Sequence, residues 1–517
     1  MMKPRDLPDQ QICAAWSNRI LLLSLLGIGY LTLFPFHFVF NGNPAYRVSP
    51  FFLGMNQKPS GPLDFFLNVL LFVPFGFGIS AQVCKRARGR WISFLLALAL
   101  GAFTSYTVEF LQLFIPQRDS GWEDVLSNSM GSVAGFILFA ICGRAILRVA
   151  TQCEELFLSW LSVRRAAALL VAYFAVWFGI STYLQNKTRL TNWDTKSPLY
   201  VGNDASGENP WEGKLYLLQI WNRALPADAI RRMAGRESME DESVGLLANY
   251  DFTSSQPLAD KMNFLPPLTW TPEQPQSIAS TPVELDGKSW LSTKSPVENL
   301  VREIRKTSHF TIHVVVAPAE ADQGRARIFS LSTPGDDANL NLRHQRSNMV
   351  FYFRNPLSAG HSALVWFVPS VFEAGKIRDL AAVYDGSDAY LYLDGTPVPQ
   401  NYRLSPGASL MHSFFFIQTG DLDGYVIFYE AITFLPAGFL IGLAAGKWLT
   451  EKTADGWLLV AGWILPALLL EFYLAWHSGR RIWVGNIALA LGFGLAGILM
   501  INADRDSNNV RGASAAT

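Results

Sequence analysis

The sequence is poor in charged residues and in histidine. Charged residues make up 16% of the 517 residues, and 42 basic residues balance 42 acidic ones, so the formal net charge is zero. Proteins that bind nucleic acid usually carry a basic excess, and the sequence therefore predicts no nucleic-acid partner. It contains neither an HExxH motif nor a recognisable Ser-His-Asp arrangement. The absence of both counts against an enzyme, because paired acids alone are weak evidence of catalysis.

The sequence also has few cysteines, and their positions exclude a disulfide framework in the polar middle of the chain. A framework needs several cysteines within the region that it holds together. All four lie within or beside apolar stretches: Cys13, Cys84, Cys142 and Cys153.

Long apolar runs are abundant, since half of the residues are hydrophobic. Crossing a hydrocarbon core takes about 20 apolar residues in a helix. Eight windows have about this length: 20–40, 64–83, 91–114, 124–143, 166–184, 425–446, 456–476 and 484–501. No small-residue cleavage site follows the first window, which predicts an uncleaved span and not a signal peptide.

Basic residues in the short loops predict the orientation of the spans. Loops rich in lysine and arginine stay in the cytoplasm. Such residues separate spans two and three, and spans four and five: Lys85, Arg86, Arg88, Arg90, Arg144, Arg148, Arg164 and Arg165. Because the number of spans is even, both termini are expected in the cytoplasm, and residues 185–424 are expected on the extracytoplasmic side.

The polar region at residues 185–424 is predicted to form β-structure. Short β-branched and aromatic runs such as 310–316 and 380–384 alternate with Gly, Pro, Asn and Asp, a pattern typical of a sandwich. Asp394-Gly395 predicts a hairpin turn, and residues 226–233 predict a short helix. Four residues near turns are candidate calcium ligands, although turn chemistry alone also explains them: Asn203, Asp204, Asp385 and Asp394. Calcium is the only cofactor that the sequence suggests.

This region resembles the laminin-G-like, concanavalin-A-like jelly roll. The resemblance rests on Tyr384-Asp-Gly386 leading to Leu393-Asp-Gly395, on Leu199-Tyr-Val-Gly-Asn203, and on Trp211-Glu-Gly213 followed by Trp221-Asn-Arg-Ala-Leu225. In that family the last two motifs usually follow the Leu-Asp-Gly hairpin, whereas here they precede it. We therefore predict one circularly permuted sandwich, with two incomplete domains as the alternative.

Polar residues gather at the predicted outer ends of spans two, three and four. Charged groups in a membrane segment are costly, so such a cluster is a candidate site. The alternative is that these residues cap helices and hold them together. The cluster comprises Asp64, Asn68, Glu109, Gln112, Arg118, Asp119, Asp124 and Asn128, and Gly131 and Gly135 follow as a small-residue packing face.

These helices resemble the VanZ-like membrane family, which is named for teicoplanin resistance. Three motifs carry the resemblance over residues 20–145: Asn68 with Phe72-Val-Pro-Phe-Gly76, Glu109-Phe-Leu-Gln112, and Arg118-Asp119 followed by Asp124, Asn128, Gly131 and Gly135. The resemblance implies an envelope protein of the bacterial cytoplasmic (inner) membrane and brings no settled reaction with it.

The carboxy-terminal spans repeat part of this pattern. A gapless shift of 362 positions pairs Phe72, Pro74 and Gly76 with Phe434, Pro436 and Gly438. The same shift pairs the polar positions Asn68, Glu109, Arg118 and Asp124 with Glu430, Glu471, Arg480 and Asn486. We predict a degenerate second copy of spans two to four, against chance agreement of apolar helices.

Five regions follow from these patterns. They are a VanZ-like domain of four spans at 1–145, a surface helix and fifth span at 146–184, a sandwich at 185–424, a degenerate VanZ-like repeat of three spans at 425–501, and a disordered cytoplasmic tail at 502–517. The fold class is thus mixed: a polytopic α-helical membrane protein with an extracytoplasmic β-sandwich.

Three functions stay open at this point. The first is an envelope protein whose outer site meets a lipid or glycolipid head group, with Arg118 holding a phosphate or carboxylate and the sandwich engaging surface polysaccharide or an envelope protein. The second is an enzyme that acts on a lipid-linked sugar with the clustered acids. The third is a helical anchor that only presents the sandwich.

Overall fold

The computed structural model describes residues 9–34, 38, 61–85, 89–115, 118, 120–235, 243–272, 281–334, 338–357, 365–399, 402–412, 422–451 and 454–514. Eight helices among them are long and apolar enough to cross a membrane, which confirms the predicted number of spans and describes a multi-pass membrane protein. The chain divides into two compact units, Met1–Ser162 and Val163–Thr517.

The first unit consists of five helices. They are α1 (Asp9–Leu33), α2 (Pro62–Lys85), α3 (Arg90–Gln112), α4 (Trp122–Leu138) and α5 (Arg144–Trp160). The bounds of α2, α3 and α4 lie close to the predicted spans, because apolar length alone determines them.

Helix α1 begins at Asp9, well before the start of the apolar window 20–40 that predicted this span. Its first turns are polar, but Ile12 and Cys13 are buried there against Phe77 and Leu147. This packing stabilises the helical conformation of residues 9–19, which are too polar to belong to the predicted apolar window. Residues 35–37 and 39–40 of the predicted span lie outside the described residues.

Helix α5 follows α4 without a loop. A five-residue π-helical turn, Phe139–Gly143, joins the two. The predicted amphipathic character of α5 is present: Leu147 is buried, while Thr151 accepts a hydrogen bond from the Trp16 indole at 3.0 Å and Glu154 pairs with Arg19 at 2.9 Å. Packing against α1 therefore explains the amphipathic pattern of α5. A position along the membrane surface would explain it equally well.

Glycines let α2 and α4 approach to backbone contact. A methyl group added at Gly131 would collide with the carbonyl oxygen of Val69, and one added at Gly135 would collide with that of Val73. Close approach of this kind is what small residues four positions apart allow in apolar helices. The α2–α4 contact positions the polar side chains described below.

The second unit begins with α6 (Val163–Asn186) and ends with three long helices, α10 (Leu422–Glu451), α11 (Trp457–Ser478) and α12 (Val484–Ser514). We call α2, α3 and α4 the first copy, and α10, α11 and α12 the second copy. The close contacts of Gly135 with Val73 O and Phe77 N recur, at the same shift of 362, between Gly497 and Leu435 O and Phe439 N. This recurrence adds support for the duplication, which stays a prediction.

Between α6 and α10 the chain forms two antiparallel sheets. The short helices of this region are α7 (Ala227–Ala234), α8 (Glu298–Thr307) and α9 (Pro406–His412). The strands are β1 (Leu199–Val201), β2 (Glu212–Trp221), β3 (Leu246–Asp251), β4 (Thr269–Thr271), β5 (Val283–Asp286), β6 (Trp290–Ser292), β7 (Phe310–Pro318), β8 (Gln323–Ser332), β9 (Ala338–Arg346), β10 (Asn348–Phe353), β11 (Val365–Val368), β12 (Arg378–Tyr384), β13 (Asp388–Leu393), β14 (Thr396–Pro397) and β15 (Tyr402–Arg403).

The strand order shows that early and late strands share both sheets. One sheet runs β11-β10-β9-β8-β1-β6-β4. The other runs β14-β13-β12-β7-β2-β3, with β15 beside β13 and β5 beside β2. Because β1 pairs with β8 and β2 pairs with β7, this region is one sandwich-like unit and not two incomplete domains. Circular permutation relative to the laminin-G-like family stays a prediction.

Two local predictions in this region are confirmed. Asp394 and Gly395 form a two-residue turn between β13 and β14, and both have positive φ, 52° and 75°, as a type I′ hairpin requires. The helix predicted at 226–233 is α7. Both features are set by local sequence, which is why the sequence predicts them well.

Replacement of Gly135 by leucine should prevent α2 and α4 from docking. The new side chain would overlap backbone atoms that cannot move independently of α2, so a loss of at least about 3 kcal/mol is expected. The measurement is the thermal unfolding midpoint of the full-length protein in detergent. Gly179→Leu is the control, because nothing lies within 4 Å of that position; equal midpoints for the two variants would contradict the packing described here.

Candidate functional site

Glu109 connects the end of α3 to the start of α4. Its side chain is buried, with 2% of the residue exposed, and its carboxylate accepts a hydrogen bond from the Gly121 backbone N–H at 2.9 Å. The Ser120 hydroxyl donates to the Glu109 carbonyl at 2.6 Å. The carboxylate thus lies at the amino-terminal end of α4, where the helix dipole favours a negative charge.

Two further contacts tie the three helices of the first copy together. The Asn68 amide donates to the Asp124 carboxylate at 2.7 Å, which joins α2 to α4. The Asn128 amide donates to the Ser105 hydroxyl at 2.9 Å, which joins α4 to α3. Asn128 is buried, whereas Asn68 and Asp124 are half-buried. The predicted residues from three helices therefore do meet.

Arg118 and Gln112 are directed toward α1. Arg118 donates to the carbonyl oxygens of Phe34 at 3.0 Å and Leu31 at 2.8 Å, and Gln112 donates to that of Thr32 at 2.9 Å. The last carbonyls of a helix lack intrahelical partners, and basic side chains commonly satisfy them. In this structure Arg118 caps α1, and its anion-holding role stays a prediction.

Two buried amide oxygens have no hydrogen-bond donor among the described residues. They are Oε1 of Gln112 and Oδ1 of Asn128, in residues that are 7% and 2% exposed. Buried acceptors without a partner are uncommon and costly, at about 1–3 kcal/mol each. Among the described residues, Glu109 also has no basic side chain within ion-pairing distance. The cluster is rich in acceptors and short of donors.

Two predicted residues do not join the cluster. Asp64 is exposed at the start of α2, and Asp119 lies outside the described residues. Conversely, the sequence prediction missed Ser105. A signal was present, because Ser105 precedes Glu109 by four positions and so lies on the same face of α3.

Residues 14–143 match the VanZ/LLP1 family model. The match supports the VanZ-like identity expected for residues 20–145, and it ends at the π-helical turn before α5. No curated protein and no solved structure matches the chain.

The second copy has the same contact between a buried glutamate and a backbone N–H at the start of the next helix. Glu471 accepts the backbone N–H of Trp483 at 2.7 Å, and Trp483 is Gly121 shifted by 362 positions. Glu471 also receives a bidentate ion pair from Arg480, at 2.6 and 2.9 Å, and a hydrogen bond from the Asn486 amide at 3.2 Å. Here the arginine lies inside the protein and neutralises the glutamate.

A small cavity lies beside Glu471 in the second copy, and its lining shows which residues surround this glutamate. Its lining residues are Glu430, Phe434, Ala467, Leu470, Glu471, Leu474, Asn486 and Ala490. Shifted by 362 positions, they become Asn68, Phe72, Ser105, Val108, Glu109, Gln112, Asp124 and Asn128. The cluster of the first copy is thus the equivalent set. Three of its polar residues, Ser105, Gln112 and Asn128, are apolar in the second copy.

The four candidate calcium residues do not share one site. Asp204 pairs with Arg327 at 3.3 Å, and Asp394 pairs with Arg378 at 2.8 Å. The other two make local turn contacts: Asn203 accepts the Asn209 N–H at 3.1 Å, and Asp385 accepts the Asp388 N–H at 2.6 Å. Within the described part of the chain, no group of three or more His, Cys, Asp or Glu residues is arranged to hold a metal ion.

Arg480→Met should destabilise the protein strongly, because it leaves Glu471 buried without its ion-pair partner. The expected loss is about 3–5 kcal/mol in the free energy of unfolding. Adding Glu471→Gln to the Arg480→Met variant should restore most of the lost free energy of unfolding. Glutamine carries no charge and still accepts the Trp483 N–H. Chemical unfolding of the full-length protein in detergent measures both effects.

A surface ion pair supplies the matched control for this prediction. Arg302 and Glu298 pair at 2.6 Å with more than half of each side chain exposed. Arg302→Met should cost no more than about 0.5 kcal/mol. A comparable cost for the two arginine substitutions would contradict the buried role of Arg480.

Asp388 should make stability depend on pH. Burial, and then the neighbouring Asp385, raise the pKa of the Asp388 carboxyl from 3.8 to about 6, although Arg403 opposes the shift. Because the folded state holds this proton more tightly than the unfolded state does, stability should fall as pH rises from about 4 to about 6, by on the order of 3 kcal/mol. Unfolding midpoints across this range test the prediction, and Asp388→Asn should flatten the slope. An unchanged slope in that variant would contradict it.

Proposed function

We propose that the protein is an integral membrane protein of the bacterial cell envelope that holds a lipid or glycolipid head group in the VanZ-like region. The binding residues are Asn68, Ser105, Glu109, Gln112, Asp124 and Asn128, at ends of α2, α3 and α4 that face the extracytoplasmic side. The sandwich engages surface polysaccharide or an envelope protein. The process served is resistance to a glycopeptide such as teicoplanin, or the handling of surface polysaccharide.

The observation that carries this proposal is the pair of unpartnered amide oxygens on Gln112 and Asn128. Each unmet buried acceptor costs stability, and a ligand that donates to these two oxygens would remove that cost. Retained polar groups that lower stability are typical of binding sites. In the second copy the same two positions are Leu474 and Ala490, so the helix packing itself does not require polar side chains there.

The location of the cluster favours a membrane component as the ligand. The cluster lies between helices of membrane length, and exposed apolar residues such as Leu67, Leu70 and Leu126 surround it on α2 and α4. A lipid can keep its chains against such residues while its head group enters between the helices. A water-soluble ligand has no acyl chains to place against these apolar residues.

The anchor function is the second candidate, and the contacts of Arg118 and Gln112 favour it. Both side chains donate to carbonyl oxygens at the end of α1, which is a structural role. If the remaining residues of the cluster act in the same way, the helices serve only to present the sandwich. The two functions differ in whether the cluster retains a ligand.

The sandwich offers a polar depression that suits a glycan or a protein partner. Its lining includes Asp204, Arg327, Ser330, Asn341 and Arg343. The Ser330 hydroxyl is buried and has no hydrogen-bond partner in the described structure. Paired charges beside an unsatisfied hydroxyl are the kind of surface that hydroxyl-rich ligands recognise through hydrogen bonds.

The test is to extract the full-length protein from bacterial membranes in mild detergent and identify retained lipids by native mass spectrometry. The variant Ser105→Ala/Gln112→Leu/Asn128→Ala carries the residues of the second copy, so it should fold. We expect the natural protein to retain a lipid or glycolipid that this variant loses.

Glu123→Gln is the matched control, since it removes one exposed carboxylate from the same helix end. It should retain the lipid as the natural protein does. Equal lipid retention by the natural protein and the triple variant would contradict a binding role for the cluster and support the anchor function.

A further inference from the structure

In the second copy an arginine forms an ion pair with the buried glutamate, and the described residues of the first copy show no such pair at Glu109. The Arg480 guanidinium meets both carboxylate oxygens of Glu471 and also lies 3.9 Å from the Trp483 ring centroid. It therefore neutralises the buried charge of Glu471 beside the small cavity. The sequence of the second copy makes an external ligand unnecessary at this glutamate.

In the first copy the equivalent arginine serves another purpose. Arg118 donates to two carbonyl oxygens of α1. The Glu109 carboxyl accepts the backbone N–H of Gly121 and a hydrogen bond from Ser120, and the Arg118 charge acts on it only at longer range, without an ion pair in the described structure. The same helix arrangement thus holds an ion-paired glutamate in one copy and, among the described residues, a glutamate without an ion pair in the other. A buried carboxylate without an ion-pair partner is costly, so an external cation bound beside it would stabilise it.

The neighbouring groups point to the same chemistry. The unpartnered atoms near Glu109, Oε1 of Gln112 and Oδ1 of Asn128, are both acceptors. Gln112 lies one turn after Glu109 on α3. Asn128 contacts Ser105, which lies one turn before Glu109. A group with several N–H donors and a positive charge therefore suits the chemistry of these three residues. A phosphate donates no hydrogen bond when ionised and would be repelled by the carboxylate.

We propose, building on the lipid-binding function above, that the first copy binds the primary ammonium of an amine-bearing head group. Glu109 supplies the counter-charge, and Gln112 and Asn128 accept the remaining N–H groups. Arg480 is the internal equivalent of this ligand in the second copy. The same ammonium chemistry exists in a membrane lipid and in a small water-soluble amine, and the apolar surroundings favour the lipid.

The experiment measures binding of three short-chain phospholipids to the full-length protein in detergent, by native mass spectrometry at matched concentrations. Phosphatidylethanolamine has the ammonium with N–H donors. Phosphatidylcholine has the positive charge without N–H donors, and phosphatidylglycerol has hydroxyls and no cation. We expect phosphatidylethanolamine to bind at least about tenfold more tightly than the other two, as the loss of a charged hydrogen bond implies.

Variants connect this preference to the residues. Glu109→Gln keeps an acceptor for the Gly121 N–H and should reduce the preference for phosphatidylethanolamine by about tenfold. Gln112→Leu should reduce it in the same direction. The control Glu123→Gln should keep the preference of the natural protein.

The outcomes separate this proposal from the lipid-binding function. Equal or tighter binding of phosphatidylglycerol, lost in the Ser105→Ala/Gln112→Leu/Asn128→Ala variant, would overturn the ammonium assignment and leave the lipid-binding function standing. Equal binding of phosphatidylcholine would overturn the role of the N–H donors. No binding of any of the three lipids, with no effect of the triple variant, would overturn both.

Free ethanolamine distinguishes the two sources of ammonium. Competition only at concentrations far above those of phosphatidylethanolamine supports a lipid as the ligand. Competition at equal concentrations supports the ammonium site and overturns its assignment to a lipid.

Discussion

A buried glutamate that accepts the first free backbone N–H of the next helix is the constraint on which both helical copies depend. Glu109 makes this contact with Gly121, and Glu471 makes it with Trp483. The contact fixes the turn between two antiparallel helices. It also forces a carboxylate into the protein interior, where its charge needs compensation. The two copies meet this need differently.

The difference between the copies concerns arginine. In the second copy Arg480 pairs with Glu471, and three positions that are polar in the first copy are occupied by alanine or leucine. In the first copy Arg118 caps α1, and the polar positions are retained. In the second copy Arg480 thus neutralises Glu471, whereas the first copy keeps two amide oxygens without a donor among the described residues. This asymmetry is the physical basis for assigning binding to the VanZ-like region.

The second copy also lies beside the sandwich. The His309 ring nitrogen Nε2 lies 3.0 Å from the carbonyl oxygen of Ser478, at the end of α11. The guanidinium of Arg403, in the sandwich, lies 4.4 Å from the Trp483 ring centroid. Residues next to the satisfied glutamate thus support the sandwich. The ion pair between Arg480 and Glu471 suits this structural role.

The sequence predicts well those features that few residues determine locally. Apolar length predicted all eight spans, and Asp394-Gly395 predicted its hairpin. The start of α1 was missed because tertiary packing of Ile12 and Cys13 extends the helix. The partners of Arg118 were missed because sequence spacing shows which residues share a helix face and not which carbonyl oxygens lie opposite. Unpartnered acceptors are likewise a property of the whole packing and have no sequence signal.

The most direct measurement is an experimental map of the full-length protein in native lipid at a resolution that shows ordered head groups. The account predicts non-protein density against Glu109, Gln112 and Asn128, and none against Glu471, where Arg480 fills the place. A first-copy cluster closed by protein contacts alone, with both amide oxygens bonded to the chain, would contradict it.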